Sequence, residues 1–351
     1  MVTKKVLFIG ERQEEVKHGW DQVNRRNQQI LESFFSDVVY LPLPKLTKIS
    51  KMLYFGISTL YLRSIEKELQ KGYDYVFVCQ SLYGRVSYYV KRHFPEVKII
   101  TFFHNIERQY AEQFIKVSYL KAIPFYLRVR IYEKMAVKYS DYIITLNERD
   151  SELLKHFYGR ESDLLMPTTL EDRFVENNKE PSIDDDIIDF LFVGTAFYPN
   201  VEGMQWFINK VLPKVEGKLC IVGKNMSPSI FSNLNDRVSI FGFVDDLADY
   251  YRKAKMVVSP IFHGGGMKTK TAEALMWGKL ILGSKEAFEG YVIDSNCMIE
   301  CNTEIEFINA INKYITNTDC YNSSARDVFL KHCSYQSSIE SFKVFFDKTN
   351  M

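Results

Sequence analysis

Two series of short apolar runs, each alternating with helix-length stretches, restrict this chain more than any other feature. The first half reads KVLFIG, DVVYLPL, YDYVFVCQ, VKIITFFHN, YIITLN and DLLMP, with helical patterns over 22–35, 57–71, 85–93, 125–140 and 148–158 between them. The second half repeats the scheme with DFLFVG, KLCIVG, RVSIFG, MVVSPI and KLILG. A strand that is apolar along its whole length must be covered on both faces, and alternation with helices supplies that cover through parallel crossover units. The predicted fold class is α/β: two Rossmann-like, doubly wound parallel-sheet domains.

A chain of 351 residues exceeds what one core usually absorbs. The expected division is 1–170, a polar and acidic linker over 171–186 that includes one proline, and 187–333. The last segment, 334–351, contains a helix over 334–349 with apolar spacing at Ile339, Phe342, Phe345 and Phe346.

Several functions are excluded or weakened by what is missing. No apolar run is long enough to span a bilayer, and the N-terminus lacks the pattern of a signal peptide. The six cysteines are scattered, and C-x3-C at Cys297 and Cys301 has no partner pair, so no metal site and reduced thiols are expected. The DDD of the linker reads as a solvated run. The first βα turn, FIGERQEEVKHG, lacks the dinucleotide fingerprint, and GGGMKT lacks P-loop spacing. Net charge is +1, yet residues 44–138 hold 17 basic and 7 acidic side chains, an excess of +10. That excludes a nucleic-acid-binding balance but gives one basic face. Lys45, Lys48 and Lys51 precede an aromatic-rich run, and Arg128 and Arg130 lie in IPFYLRVRIY, a composition suited to an anionic membrane surface.

The chemistry concentrates in FHGGGMKTKTAEALMWGK, residues 262–279, where a buried strand passes through a glycine loop into a helix. Glycines allow close backbone approach, and the first N–H groups of a helix, aided by its dipole, form an anion site. Lys268 and Lys270 add positive charge, while Glu273 can accept both hydrogen bonds of a diol. A nucleoside diphosphate presents phosphates and a ribose side by side.

This stretch resembles the donor-site segment of family 4 glycosyltransferases of GT-B fold, in the subgroup written G-x-G-x-K-x-K-x-x-E. LFVGTAFYPNVEGMQWFINKVLP, CIVGK, VSIFGFVDDLADYYRKAKMVVSPI and HNIERQY have counterparts in the same order, so the resemblance covers about 90–320 and extends loosely over the N-terminal domain. It implies two domains facing across a cleft, with 334–351 packing back on the first. Gly265, Gly266, Met267, Lys268, Lys270, Gly194 and Thr195 would then meet the donor diphosphate and sugar. Glu273, Gly223, Lys224 and Val244 would meet the nucleoside. The family's first glutamate falls at Gly265, and its basic pair is absent from GTAFYPNVEG. Lys268 or Lys270 is therefore expected to take over the diphosphate charge, Lys270 being favoured because it lies in the helix's first turn.

On the other domain, His104 follows a strand end, where a lone histidine is ordinarily a capping or packing residue; the resemblance implies that it is the catalytic residue, with Asn105 and Glu107 orienting it or capping the next helix. His18, Gly19 and Arg25 are expected on the acceptor side. The resemblance implies transfer of a sugar from a UDP- or GDP-sugar to a glycan or lipid-linked acceptor, with retention. No cofactor and no metal are expected, since helix N–H groups and lysines meet the leaving charge. Cell-surface polysaccharide synthesis, on the cytoplasmic side and peripheral to the inner face of the plasma membrane, is the expected setting. A sugar-nucleotide epimerase and a non-catalytic sugar-nucleotide binder are the alternatives.

Overall fold

The computed structural model describes residues 2–14, 19–43, 53–117, 119–175, 181, 186–264, 266–316 and 319–349. The chain forms two compact units, Met1–Pro167 with Ser338–Met351, and Thr168–Ser337.

The first unit is built on six parallel strands: β1 (Val2–Ile9), β2 (Phe35–Leu41), β3 (Tyr75–Val78), β4 (Lys98–Phe103), β5 (Tyr142–Thr145) and β6 (Leu164–Leu165), in the order β2-β1-β3-β4-β5-β6. Val6, Leu7, Ile9, Val76, Val78, Ile99 and Ile100 have no exposed surface, as strands covered on both faces require. Among the described residues, helices alternate with the strands at Gly19–Phe34, Thr59–Leu69, Gly84–His93, Glu107–Val117, Tyr119–Tyr139 and Glu148–Tyr158. Their ends follow local chemistry. Ser58 and Asn147 cap two N-termini, and Gly159 closes a C-terminus at φ 75°.

The long helix starts at Tyr119, ahead of Pro124, where the sequence pattern places its start at 125. A proline this early removes one ladder hydrogen bond from a helix that packing holds. Gly84 lies against it so closely that a Cβ would stand 1.9 Å from the Tyr132 carbonyl oxygen. The terminal helix, Tyr335–Lys348, sets Phe342 and Phe346 against Phe34 and Phe35, with ring centroids 5.2 and 5.5 Å apart.

The second unit holds β7 (Ile188–Val193), β8 (Leu219–Val222), β9 (Val238–Phe241), β10 (Ala254–Ser259), β11 (Leu280–Gly283) and β12 (Met298–Glu300). All described pairings are parallel, in the order β12-β11-β10-β7-β8-β9. The described part of the linker is docked on this unit. Arg173 N–H donates to Met276 Sδ at 3.5 Å, Asp172 pairs with Arg326, and the Phe174 ring lies 6.1 Å from Trp277 and 5.8 Å from Tyr321. Ring contacts and an ion pair thus hold the start of a stretch whose composition reads as a linker. All six cysteines are buried free thiols.

Candidate functional site

In an open parallel sheet, ligands collect over the carboxyl ends of the strands where the order reverses. In the second unit that point lies between β7 and β10. The segments leaving those two ends are Gly194–Asn200 and the glycine loop that enters helix Thr269–Met276.

The loop needs its glycines. Gly264 has φ 144° and Gly266 φ 64°, backbone conformations that other residues rarely adopt. Gly265 lies outside the described residues. Met267 is buried, and its Sδ accepts from the Thr168 N–H at 3.3 Å, which anchors the loop's exit. Lys268 then forms the N-cap position without any side-chain cap, so the helix start presents N–H groups that no side chain covers.

The two lysines diverge. Lys268 Nζ donates to Glu286 Oε1 at 2.7 Å and to the Gly266 carbonyl at 2.8 Å, while Tyr291 donates to the Lys268 carbonyl. Lys270 points toward the switch point. Its ammonium donates to Asn200 Oδ1, sits 4.5 Å from the centroid of the Phe192 ring, and is 3.0 Å from where a Cβ on Gly194 would stand. Burial and the neighbouring Lys268 push the Lys270 ammonium down to about 7, against the pull of Glu273. A cation held this far below its ordinary value is one that an incoming anion would stabilise.

Glu273 lies one turn further along. Burial raises its carboxyl above the ordinary range, opposed by Arg173 and Lys270. Arg173 Nη2 stands 3.7 Å from Glu273 Oε1. Beside them, Tyr251 is fully buried, stacked on Trp277 at 6.1 Å, and its hydroxyl has no partner among the described residues.

The neighbouring strand ends complete this edge. A Cβ on Gly223 would meet the Gly194 carbonyl oxygen at 1.8 Å, so glycine is the residue that lets the β7 and β8 turns touch. The Ala196 N–H donates to the Lys224 carbonyl at 3.0 Å, and Asn200 Nδ2 to the Thr195 carbonyl at 2.8 Å. Thr195 and Lys224 are exposed and Val244 is half-buried, next to Phe243 with 73% of its surface exposed. Gly194, Thr195, Asn200, Lys270 and Gly223 therefore share one locality. Asn200, Glu286 and Arg173 were not singled out by sequence reasoning. Asn200 is a polar residue buried within FYPN, a signal that becomes visible only when the strand end is located.

In the first unit the carboxyl edge is assembled differently. His104 follows β4 and is 8% exposed; its Nε2 lies 3.1 Å from the Cys79 carbonyl, which can only accept, so Nε2 carries the hydrogen. Burial, with the nearby Arg26 charge, holds the imidazole down at about 3. Arg26, missed beside Arg25 in the sequence, is fully buried, donates to the Pro167 carbonyl at 2.7 Å and Ser338 Oγ at 3.1 Å, and lies over the Phe102 ring. Arg25 is half-buried on the same helix, which Gly19 begins; His18 lies outside the described residues.

The cap of helix Glu107–Val117 is a correction to the sequence reading. Neither Asn105, which is exposed, nor the Glu107 side chain supplies it. Glu133, fully buried on helix Tyr119–Tyr139, accepts from the Glu107 and Arg108 N–H groups at 2.8 and 3.1 Å. It also accepts from Tyr158 at 2.8 Å and Ser81 at 3.3 Å. Burial raises the Glu133 carboxyl to about 7 against these four bonds, and burial with the Glu133 charge raises Glu107 to about 7. A cap from 26 residues downstream is invisible to local pattern.

With this geometry in hand, the likenesses to known proteins take on meaning. The two six-stranded parallel sheets place the chain in the α/β class with GT-B glycosyltransferases. Residues 188–317, which hold most of the second unit's edge, match the family model described as "Glycosyl transferases group 1". Anabaena HepE, solved with UDP and glucose, superposes with a TM-score of 0.63 at 12% identity, covering 98% of this chain and 99% of that one. A glycosyltransferase of Rickettsia africae gives 0.64 at 14% identity, covering 98% of each chain. The catalytic domain of starch synthase IV from Arabidopsis thaliana, bound to ADP and acarbose, gives 0.65 at 10% identity and 99% of each. At such identities the likeness is one of fold. No curated protein sequence matches the chain.

Proposed function

We propose that this protein is a retaining glycosyltransferase that moves a sugar from a UDP- or GDP-sugar to a glycan or lipid-linked acceptor. The observation that carries this reading is Lys270, whose ammonium stands over Gly194 at the switch point beside an uncapped helix start. HepE and starch synthase IV hold UDP and ADP respectively on the same fold, which supports a nucleoside diphosphate as donor.

In this reading the diphosphate lies against Gly266, Met267, Lys270, Gly194 and Thr195. Charge grows on the leaving diphosphate as the glycosidic bond breaks, and Lys270 with the helix N–H groups stabilises it most in the transition state. These groups meet the leaving charge without a metal. Glu273 accepts from the ribose, displacing Arg173, while Gly223, Lys224 and Val244 line the nucleoside. Lys268, engaged with Glu286, shapes the loop. His104, Asn105, Glu107, His18, Gly19 and Arg25 serve the acceptor and sugar side. Retention follows if the departing phosphate accepts the acceptor's proton on the same face. Cell-surface polysaccharide synthesis on the cytoplasmic side, where nucleotide sugars are made, is the setting proposed. Among the described residues no helix is long and apolar enough to cross a membrane.

Gly265, standing where the resembled family has a glutamate, favours a second reading as a non-catalytic nucleotide-sugar binder. Calorimetric titration with UDP, GDP and ADP, followed by assays for released nucleoside diphosphate from the matching sugars, decides. Binding with release supports transfer, binding without release supports the second reading, and no binding of any nucleotide overturns both.

A further inference from the structure

One face of helix Tyr119–Tyr139 is used by nothing described above. Leu127, Arg130, Ile131, Lys134 and Lys138 follow at spacings of three, one, three and four, which puts them on a single stripe. All five are exposed, Leu127 and Ile131 at 50% and 51%. The opposite side carries Val129, Glu133 and Ala136, each with no exposed surface, so the stripe faces out because the rest of the helix is committed to the core.

Beside the stripe, Phe157 and Tyr158 wall a groove of about 640 Å³ whose lining contains no acidic residue. The acids paired with its lining residues are already engaged: Glu112 with Arg108 at 3.0 Å, Asp163 with Arg160 at 2.9 Å, and buried Glu133 with Tyr158 at 2.8 Å. Among the described residues no carboxylate pairs with Arg130, Lys134 or Lys138. Three uncompensated cations thus flank two half-exposed aliphatic side chains on one helical turn after another.

We infer that this stripe and groove dock the first unit on an anionic lipid bilayer. Charge complementarity selects the occupant. The cations attract an acidic surface, and their long stems let the charged heads reach phosphates while Leu127 and Ile131 enter the acyl boundary. A nucleic acid would leave Leu127 and Ile131, the aliphatic side chains exposed between the cations, without a partner, whereas an acyl boundary takes them. The inference goes beyond the glycosyltransferase reading and does not depend on it. The basic residues at 45, 48 and 51, part of the same charge excess, lie outside the described residues.

The test is flotation of the full chain with vesicles of phosphatidylcholine alone and with added phosphatidylglycerol, at low and high salt. Binding is expected only with phosphatidylglycerol and should weaken with salt. Each surface cation contributes about fivefold to partitioning, so the triple variant Arg130→Glu, Lys134→Glu, Lys138→Glu should lose roughly a hundredfold or more. Leu127→Ser with Ile131→Ser should weaken binding with the salt dependence retained. A matched triple on the other unit, Lys210→Glu, Lys313→Glu and Lys331→Glu, should bind like the parent. Circular dichroism confirms that each variant is folded, and Lys134→Ala alone, expected to lose about fivefold, serves if the triple variant is not. The inference is overturned if the parent ignores anionic vesicles, or if the folded stripe variants bind as the parent does. Either result leaves nucleotide binding untouched, so this failure and failure of the proposed function are separable.

Discussion

The two carboxyl edges of this molecule hold their key groups by opposite means. In the second unit a lysine is kept close to losing its proton, over glycines that leave room for a ligand backbone-to-backbone. In the first, a histidine is kept neutral by burial and by Arg26, and a buried glutamate ties the following helix into the core. One edge holds a buried cation over glycines; the other buries a histidine, an arginine and a glutamate together. The two sheets differ in strand order, β2-β1-β3-β4-β5-β6 against β12-β11-β10-β7-β8-β9, and the contrast teaches that a parallel α/β edge can hold a cation over open glycines or bury its ionisable groups within the unit.

Glu133 is where the first half of that contrast is easiest to break. Glu133→Ala leaves two backbone N–H groups, a tyrosine and a serine hydroxyl without their acceptor. A loss of about 3–5 kcal/mol is expected by denaturant titration, because a buried network with one member removed keeps its full desolvation penalty. A loss below about 1 kcal/mol would mean that the cap is incidental.

Lys270→Ala tests the second half. Turnover should fall by about 2 kcal/mol in kcat/KM, roughly thirtyfold, with little change in stability. Full activity in this variant ends the phosphate-cradle reading. Glu273→Gln should weaken binding of the nucleoside diphosphate about tenfold, measured by calorimetry, since hydrogen bonds to a charged acceptor are the stronger ones.

Proton linkage sharpens the comparison itself. Burial and Lys268 hold Lys270 down at about 7, and a bound dianion would raise it. Binding should therefore take up about half a proton near pH 7 and close to one above it, with affinity falling as pH rises past 7 and unaffected by this group below it. Titration in buffers of different ionisation enthalpy reads this directly. His104, neutral above about 3, should add nothing to that linkage, so His104→Gln leaves it unmoved. The smallest effect is expected for Lys268→Ala, within about threefold in kcat/KM, because its ammonium already serves Glu286.

The sequence made the sheets legible because a doubly covered strand has a local signature, and VLFI, IITFF or DFLFV can scarcely be read otherwise. The glycine loop and the helix start after it were legible for a similar reason: a strand end, φ-permissive residues and a helix start are neighbours in the chain. At 172–174 the stretch read as a polar linker packs onto Arg326, Trp277 and Tyr321, contacts that no local pattern shows. Asn105 and Glu107 were expected to orient His104 or to cap the next helix, and the cap is supplied by Glu133 from another helix.

What the sequence by itself determined is the class of fold and the position of the glycine loop before a helix start, because periodicity, glycine and helix starts act over a few residues. Tertiary structure alone decided which lysine turns to the switch point and which to Glu286, that Asn200 and Arg173 belong at this edge, and that Glu133 caps a helix 26 residues earlier. Those outcomes depend on distances between segments far apart in the chain, and on burial, which sets where a side chain's charge is tolerated.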